Sequence, residues 1–485
     1  MQLDQVLPGA TPAGVRDLQI SGLAYDNRVV TPGTLFFCVR GFTRDGHDYA
    51  PDAVARGAVA LVVEHPLELA VPQVRVVSVR AAMAPAAAAF YGDPTSRLDT
   101  IGVTGTNGKT TSAFLVRALL EADGRPAGLL GTVKSVIGSA EHDVQRTTPE
   151  AIDLQRTFRA MADAGDRACV MEVSSHALEL RRADAIHFAA ALFTNLTQDH
   201  LDFHPTMEDY FDAKRLLFCG AERPRVSVVN VDDAYGARLA AELDGPVTFA
   251  LRAETADYRA TAVQTGLEGS RFTVATPHDG AVALHSPLRG EFNVYNVLGA
   301  LATARELGVP MATCVQAVVT AGQVPGRFET VDEGQPFAVL VDYAHTPDSL
   351  DNVLRAARRL TDARLHVVFG CGGDRDRGKR PLMGEIARRL ADRVIVTSDN
   401  PRSEDPEAII AEILEGSGHE VIHDADRHAA ITRALTDAGS GDVVVIAGKG
   451  HEQGQEFAGG HKIPFDDVTV AREILRGDRV LPGLR

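Results

Sequence analysis

Residues 101–111 read Ile-Gly-Val-Thr-Gly-Thr-Asn-Gly-Lys-Thr-Thr. Gly105 and Gly108 bracket a turn that only small residues allow, and Lys109, Thr110 and Thr111 follow it directly. The chemistry open to such a run is phosphate binding. Backbone N–H groups of the turn point at an anion, and a helix starting behind them adds partial positive charge. Lys109 can reach the outer phosphates, and the hydroxyl of Thr110 or Thr111 can bind Mg²⁺. The common phosphate loop has four residues between its glycines. Here Thr106 and Asn107 alone separate them, and Val103 stands at the longer pattern's first glycine. A glycine turn joining a strand to a helix is the plain alternative.

Other reactive side chains fall at the ends of apolar runs. Glu172 closes one, ahead of Ser174, Ser175 and His176. A carboxylate there, beside a phosphate loop, is a candidate Mg²⁺ ligand; a helix cap or loop salt bridge is the bland reading. Asp199, His200, Asp202 and His204 crowd into residues 199–204. Zinc is one option, but no cysteine or third histidine completes a familiar spacing. An oxygen-rich Mg²⁺ site suits the acidic partners better, and His204 fits a structural role as well as a ligand's. Lys214 lies on the inner side of the helical pattern 210–218, although a lone lysine on a helix is ordinarily a surface charge. In the last third, polar loops follow apolar runs at 370–380, 399–402 and 448–452. Their Arg forks suit carboxylates and their Asp and Glu suit ammonium groups, as a zwitterion requires.

These side chains need a scaffold that gathers strand ends. Runs at 100–104, 170–173 and 228–231 read as buried strands, and Leu115, Val116, Leu119 and Leu120 mark a helix stopped by Gly124. The fold class is therefore α/β. The central part is a mostly parallel sheet with helices on both faces, whose ligands collect at the carboxyl ends of its strands. Runs at 337–342, 365–370, 393–397 and 443–447 give a Rossmann-like third part. Runs at 35–39, 60–63 and 74–79, with an Ala-rich helix at 81–89, give a small α/β part at the start. The boundaries fall at 1–97, 98–325 and 326–485, the second at the turn Val324-Pro325-Gly326-Arg327.

A length of 485 residues suits two to four domains. The formal charge of −16 argues against bulk nucleic-acid binding, which needs a basic surface. No apolar run approaches a membrane span, and the first residues lack the pattern of a signal peptide. Five scattered cysteines fit reduced thiols in a cytoplasm.

The motifs taken together resemble the Mur ligase family, the ATP-dependent amide-forming enzymes of peptidoglycan synthesis. Thr104 to Thr111 has the form of that family's phosphate loop, which folylpolyglutamate synthetases share. The resemblance implies a uridine diphosphate site at Tyr25, Asn27, Phe42, Thr43 and Arg44, with Asn27 where the family usually has Ser. It adds Thr147, Thr148, Ser174 and Arg182 to that substrate, with Leu180 where the family often has Gln. It implies ATP contacts from Gly105 to Thr111 and from Asn293, Arg327 and Asp342. It implies a metal group of Thr110, Glu172, His200 and Lys214, the lysine carbamylated by CO₂, with Lys109, Lys214, His200 and Glu172 as the catalytic set. The Asp399-Asn400-Pro401-Arg402 motif resembles the branch that adds meso-diaminopimelate to UDP-MurNAc-L-Ala-D-Glu. That branch implies acceptor contacts from Arg375, Asp399, Asn400, Pro401, Arg402, Gly448 and Glu452. The expected partners are these small molecules, ATP and Mg²⁺, with no nucleic acid and no membrane span, acting on a cytoplasmic monomer. A folylpolyglutamate synthetase would have little use for the first part, and a bare phosphate-loop ATPase would need no acceptor loops.

Overall fold

A computed structural model describes residues 1–9, 12–144, 146–220, 222–418 and 420–477. Two compact units emerge. One comprises residues 1–104, 123–192 and 212–227; the other comprises 105–122, 193–211 and 228 onward.

The first unit opens with a parallel four-stranded sheet, β1 (Gly22–Ala24), β2 (Thr34–Phe37), β3 (Ala58–Val63) and β4 (Gln73–Arg75), in that order. Leu35, Phe37, Val62 and Val74 pack on Met83, Ala84 and Ala87 of the helix Val79–Tyr91. The strand expected over 74–79 ends at Arg75 instead. Ser78 takes the N–H of Ala81 on its side chain at 3.3 Å, so the Ala-rich helix begins at Val79. The unit then holds β5 (Asp99–Thr104), β6 (Ala127–Leu130), β7 (Ser135–Ile137), β8 (Ala140–His142), β9 (Ala168–Glu172) and β10 (Phe188–Phe193), whose last residue falls in the second unit. They run β10-β5-β9-β6-β7-β8, with β5, β9 and β6 parallel and an antiparallel edge beyond. β5 and β9 are almost wholly buried, with Ile101 and Val103 in the one and Ala168 to Met171 in the other, as strands covered on both faces require.

The second unit carries β11 (Val226–Asn230), whose first two residues fall in the first unit, with β12 (Val247–Ala250), β13 (Tyr258–Gly266), β14 (Gly269–Thr276) and β15 (Gly280–Ser286). β11 to β13 are parallel and β13 to β15 antiparallel. The helix Lys109–Ala122 packs on the helix Glu291–Glu306, which is buried along most of its length. A six-stranded sheet follows: β16 (Glu329–Thr330), β17 (Ala338–Asp342), β18 (Leu365–Phe369), β19 (Arg393–Thr397), β20 (Ile422–Asp424) and β21 (Val443–Ala447). Its order is β16-β17-β21-β18-β19-β20, parallel except for β16. The four expected strands are present; the short β16 and β20 extend its edges. Residues 478–485 of the expected third part lie outside the described residues. All five cysteines are free thiols. No helix among the described residues is long and apolar enough to cross a membrane.

Candidate active site

The phosphate loop follows β5 in the chain. Gly105 has φ +145° and Gly108 has φ +86°, backbone that side chains rarely adopt. Space also excludes side chains: a Cβ at Gly105 would lie 1.9 Å from Thr194 Oγ1, and one at Gly108 2.4 Å from Asn296 Oδ1. Neighbouring polar groups clamp the loop. Thr106 N donates to Asn195 O at 2.9 Å, Asn107 N to Asn195 Oδ1 at 2.9 Å, and Thr194 Oγ1 to Asn107 O at 2.6 Å. The Lys109 ammonium folds back on the carbonyls of Gly105 at 2.9 Å and Thr106 at 2.7 Å.

Asn293 does not cap its helix. Its amide donates to Arg289 O and accepts from Asn296 Nδ2 at 2.9 Å, so the two asparagines brace each other beneath Gly108. Arg327 donates to Thr110 Oγ1 at 3.0 Å and stacks over the Tyr343 ring, 4.5 Å from its centre. Asp342, at the end of β17, takes the Phe328 N–H at 2.7 Å. Burial pushes its carboxyl up to about 6, against the pull of Arg327 and two backbone N–H groups. Asp348 takes Asn107 Nδ2 at 2.8 Å and Thr197 Oγ1 at 3.1 Å.

His200 has φ +56°, and its ring lies 3.4 Å from Asp199. Burial opposes ionisation of Asp199, yet the charges of His200, His345 and Lys379 hold its carboxyl below the usual range. The buried His204 packs its ring on Tyr210. Among the described residues no three His, Cys, Asp or Glu gather as a metal cage.

In the first unit, Glu172 ends β9 with both oxygens fixed. Oε1 accepts from Thr132 N at 2.8 Å and Oε2 from Thr132 Oγ1 at 3.1 Å. Thr147 Oγ1 lies 3.0 Å from Thr132 Oγ1. Thr148 Oγ1 donates to Glu172 O at 2.9 Å and accepts Ser174 N at 3.1 Å. These side chains therefore form one network. Arg182 reaches Thr148 O at 3.2 Å and shares the buried Glu150 with Arg80 and Arg146. Tyr25 donates to Asp153 at 2.6 Å and Asn27 to Asp52 at 2.7 Å. Phe42 is largely exposed, and Arg44 donates to the Tyr49 hydroxyl. Lys214, on the helix Met207–Cys219, is 1% exposed, as its inner position on the helical pattern implies and unlike the usual surface lysine.

The loops after β18, β19 and β21 end adjacent strands and meet. Asn400 Nδ2 donates to Glu452 Oε2 at 2.7 Å, while its Oδ1 accepts the Lys449 ammonium at 2.9 Å and Glu456 N at 3.0 Å. Gly448 has φ +115°, and a Cβ there would sit 2.6 Å from Asp399 Oδ2. Arg402 has φ +50° and is already engaged: Nε donates to Glu456 Oε2 at 3.0 Å and Nη1 to Gly373 O at 2.8 Å. Arg375 donates only to its neighbour's carbonyl, Asp374 O, among the described contacts. Pro401 O accepts the Glu404 N–H at 3.0 Å.

Sequence reasoning gave no bracing role to the residues behind these loops, although Arg380 fell within the basic loop 370–380. Buried Arg380 ties Glu404 and Glu412, and pairs so closely with Glu404 that it pulls that carboxyl down to about 2. Arg427 forks onto Asp467 at 2.7–2.8 Å and also donates to Ala447 O and Ser398 O, behind the β21 and β19 loops. Their signal was a charged residue opening a helix, which reads equally well as solvated.

A clamped glycine loop thus opens a helix of this α/β protein, and amide, carboxylate and guanidinium groups gather on parallel strand ends. Known family patterns match in order: "Mur ligase family, catalytic domain" over 19–91, "Mur ligase middle domain" over 103–304, and "Mur ligase, glutamate ligase domain" over 326–450. The UDP-N-acetylmuramoyl-L-alanyl-D-glutamate--2,6-diaminopimelate ligase of Geobacillus thermodenitrificans is 49% identical over 471 residues, covering 95% of this chain and 96% of its own. The enzyme of that name from Streptomyces coelicolor is 45% identical, covering 98% and 96%. A solved structure of a ligase of the same name has a TM-score of 0.72 at 34% identity, covering 98% of this chain and 99% of that one. This chain belongs to the Mur ligase family.

Proposed function

We propose that this chain is an ATP-dependent ligase that adds meso-diaminopimelate to UDP-MurNAc-L-Ala-D-Glu in peptidoglycan synthesis. Residues 1–97 hold the uridine diphosphate end, through Tyr25, Asn27, Phe42, Thr43 and Arg44. Residues 98–325 bind ATP, and residues 326–485 bind the incoming amino acid. The chain acts as a cytoplasmic monomer.

The D-glutamate carboxylate attacks the γ-phosphorus of ATP, and ADP leaves. The N–H groups of the Gly105–Gly108 turn and the Lys109 ammonium stabilise the charge on the transferring phosphoryl group. Lys109 exchanges the carbonyls of Gly105 and Thr106 for phosphate oxygens. Thr147, Thr148, Ser174 and Arg182 orient the peptide-bearing substrate. The diaminopimelate amine then attacks the acyl phosphate, an amide bond forms, and phosphate departs. Asn293, Arg327 and Asp342 border the nucleotide. Asp399, Asn400, Gly448 and Glu452 take the polar ends of the amino acid, and Arg375, Pro401 and Arg402 take its distal carboxylate.

The donor chemistry suits Mg²⁺, a hard cation that prefers oxygen. The Glu172 carboxylate is held in fixed orientation by Thr132. Thr110, Glu172, His200 and carbamylated Lys214 would hold the ion, which when bound supplies neutralising charge to the phosphates. Carbamylation takes place on the neutral amine of Lys214, whose side chain is buried. That amine adds to CO₂, forming an N–C bond and releasing a proton. Incubation with ¹³C-bicarbonate should give a carbamate carbon resonance that is absent from Lys214→Met.

The observation that carries the acceptor class is the combination at the β19 and β21 loop ends of the Arg402 guanidinium with the Asn400 amide and Glu452 carboxylate. The test is phosphate release with ATP and UDP-MurNAc-L-Ala-D-Glu, comparing meso-diaminopimelate, L-lysine, L-ornithine and no acceptor. A UDP-linked tripeptide formed only with diaminopimelate is expected. Turnover with lysine or ornithine instead would keep the ligase and remove the acceptor assignment.

A further inference from the structure

The Arg402 guanidinium, assigned above to the acceptor's distal carboxylate, already holds a carboxylate of this chain. Glu456 Oε2 accepts from Arg402 Nε at 3.0 Å. The backbone delivers that carboxylate. Arg402 N donates to Glu456 O at 3.0 Å, Glu456 N donates to Asn400 Oδ1 at 3.0 Å, and Arg402 itself is fixed in the left-handed region at φ +50°. These backbone bonds keep Glu456 within reach of Arg402 in the free chain. The pair is partly open to solvent, with side-chain exposures of 22% for Arg402 and 41% for Glu456. An ion pair that exposed is weak, so an incoming carboxylate can replace it.

We propose that Glu456 is a specificity-tuning residue, an internal carboxylate that competes with the distal carboxylate of the acceptor for Arg402. The proposal rests on the diaminopimelate reading. It has two consequences. Diaminopimelate must displace or share Glu456, and two carboxylates on one guanidinium repel each other. An acceptor lacking the distal carboxylate leaves Arg402 paired with Glu456, not stranded. The native chain therefore discriminates less sharply than a bare Arg402 would.

The test is steady-state kinetics of full-length Glu456→Gln at saturating ATP and UDP-MurNAc-L-Ala-D-Glu, with meso-diaminopimelate and L-lysine varied separately. The amide keeps an acceptor for Arg402 and loses the charge. KM for diaminopimelate should fall roughly threefold to tenfold, the difference between a charged and a neutral hydrogen bond, with kcat within about twofold. The ratio of kcat/KM for diaminopimelate over lysine should rise in proportion. Glu456→Ala, which removes the side-chain acceptor altogether, should shift the ratio the same way. A structural role for Glu456 would raise KM for both acceptors or leave the ratio unmoved, and either result overturns the proposal. Failure of the native chain to form tripeptide with either acceptor would overturn the ligase reading itself.

Discussion

The phosphate loop and the acceptor loops solve the same problem, holding polar groups at strand ends, by opposite means. The phosphate loop is built from backbone. Gly105 and Gly108 supply the conformation, and neutral side chains (Thr194, Asn195 and Asn296) press against it. The acceptor loops are built on buried charge. Arg380, Arg427 and Lys449 are all buried, and each ties a loop through carboxylates, amides or carbonyls from distant parts of the chain. A backbone site is rigid because its geometry has no alternatives. A side-chain site is rigid only while every buried charge keeps its partner.

The largest effect expected from that difference is in Arg427. Both Arg427 and Asp467 are fully buried. Arg427→Met leaves a buried Asp467 carboxylate and frees the carbonyls of Ser398 and Ala447. Breaking one side of such a pair costs about 3–5 kcal/mol. Urea unfolding should register that loss, while calorimetric ADP binding by the folded variant stays within about threefold, since the phosphate loop does not lean on it. An ADP affinity that collapses in step with stability would break the comparison.

Lys109→Ala should do the reverse. The ammonium rests on the Gly105 and Thr106 carbonyls, and the loop keeps its clamps without it. Unfolding free energy should change by less than about 0.5 kcal/mol. The rate of acceptor-dependent phosphate release should drop about 10²–10³-fold, as when a charge-stabilising donor is removed. A large loss of stability would show that Lys109 holds the loop together, contrary to the backbone account.

The same contrast explains what could be read from sequence. The glycine turn was legible because only glycine tolerates its φ values, and the buried strands because parallel strands covered on both faces are continuous apolar runs. Side-chain scaffolding was not legible. Arg380 and Arg427 each open a helix, where an arginine normally faces water, and their carboxylate partners lie 24 to 40 residues away. The helical pattern puts Lys214 on the inner side, against the general rule that a lone lysine is a surface charge, and its burial follows the pattern. Glu456 carried no signal, since its competition for Arg402 exists only once the chain folds residues 402 and 456 side by side. The strand that stopped at Arg75 failed for a local reason, the capping hydroxyl of Ser78.

Asp342 tests where the two designs meet. Its carboxylate takes the Phe328 N–H, it faces Arg327, and its own carbonyl accepts Gly448 N at 3.1 Å, so it touches both the arginine bonded to Thr110 and the acceptor loop. Its folded pKa of about 6 lies above the ordinary 3.8, because burial outweighs Arg327 and the backbone donors. The sign follows from linkage. The folded state holds the proton more tightly, so the stability this group contributes is fully present below about pH 4 and is lost as pH rises through 6. In Asp342→Asn the titration is gone. The difference in unfolding free energy, native minus variant, should therefore fall by up to about 3 kcal/mol between pH 4 and pH 7. A flat difference would mean that Arg327 neutralises Asp342 fully. The junction would then be an ordinary ion pair of the acceptor-loop kind, not an acid whose burial outweighs Arg327.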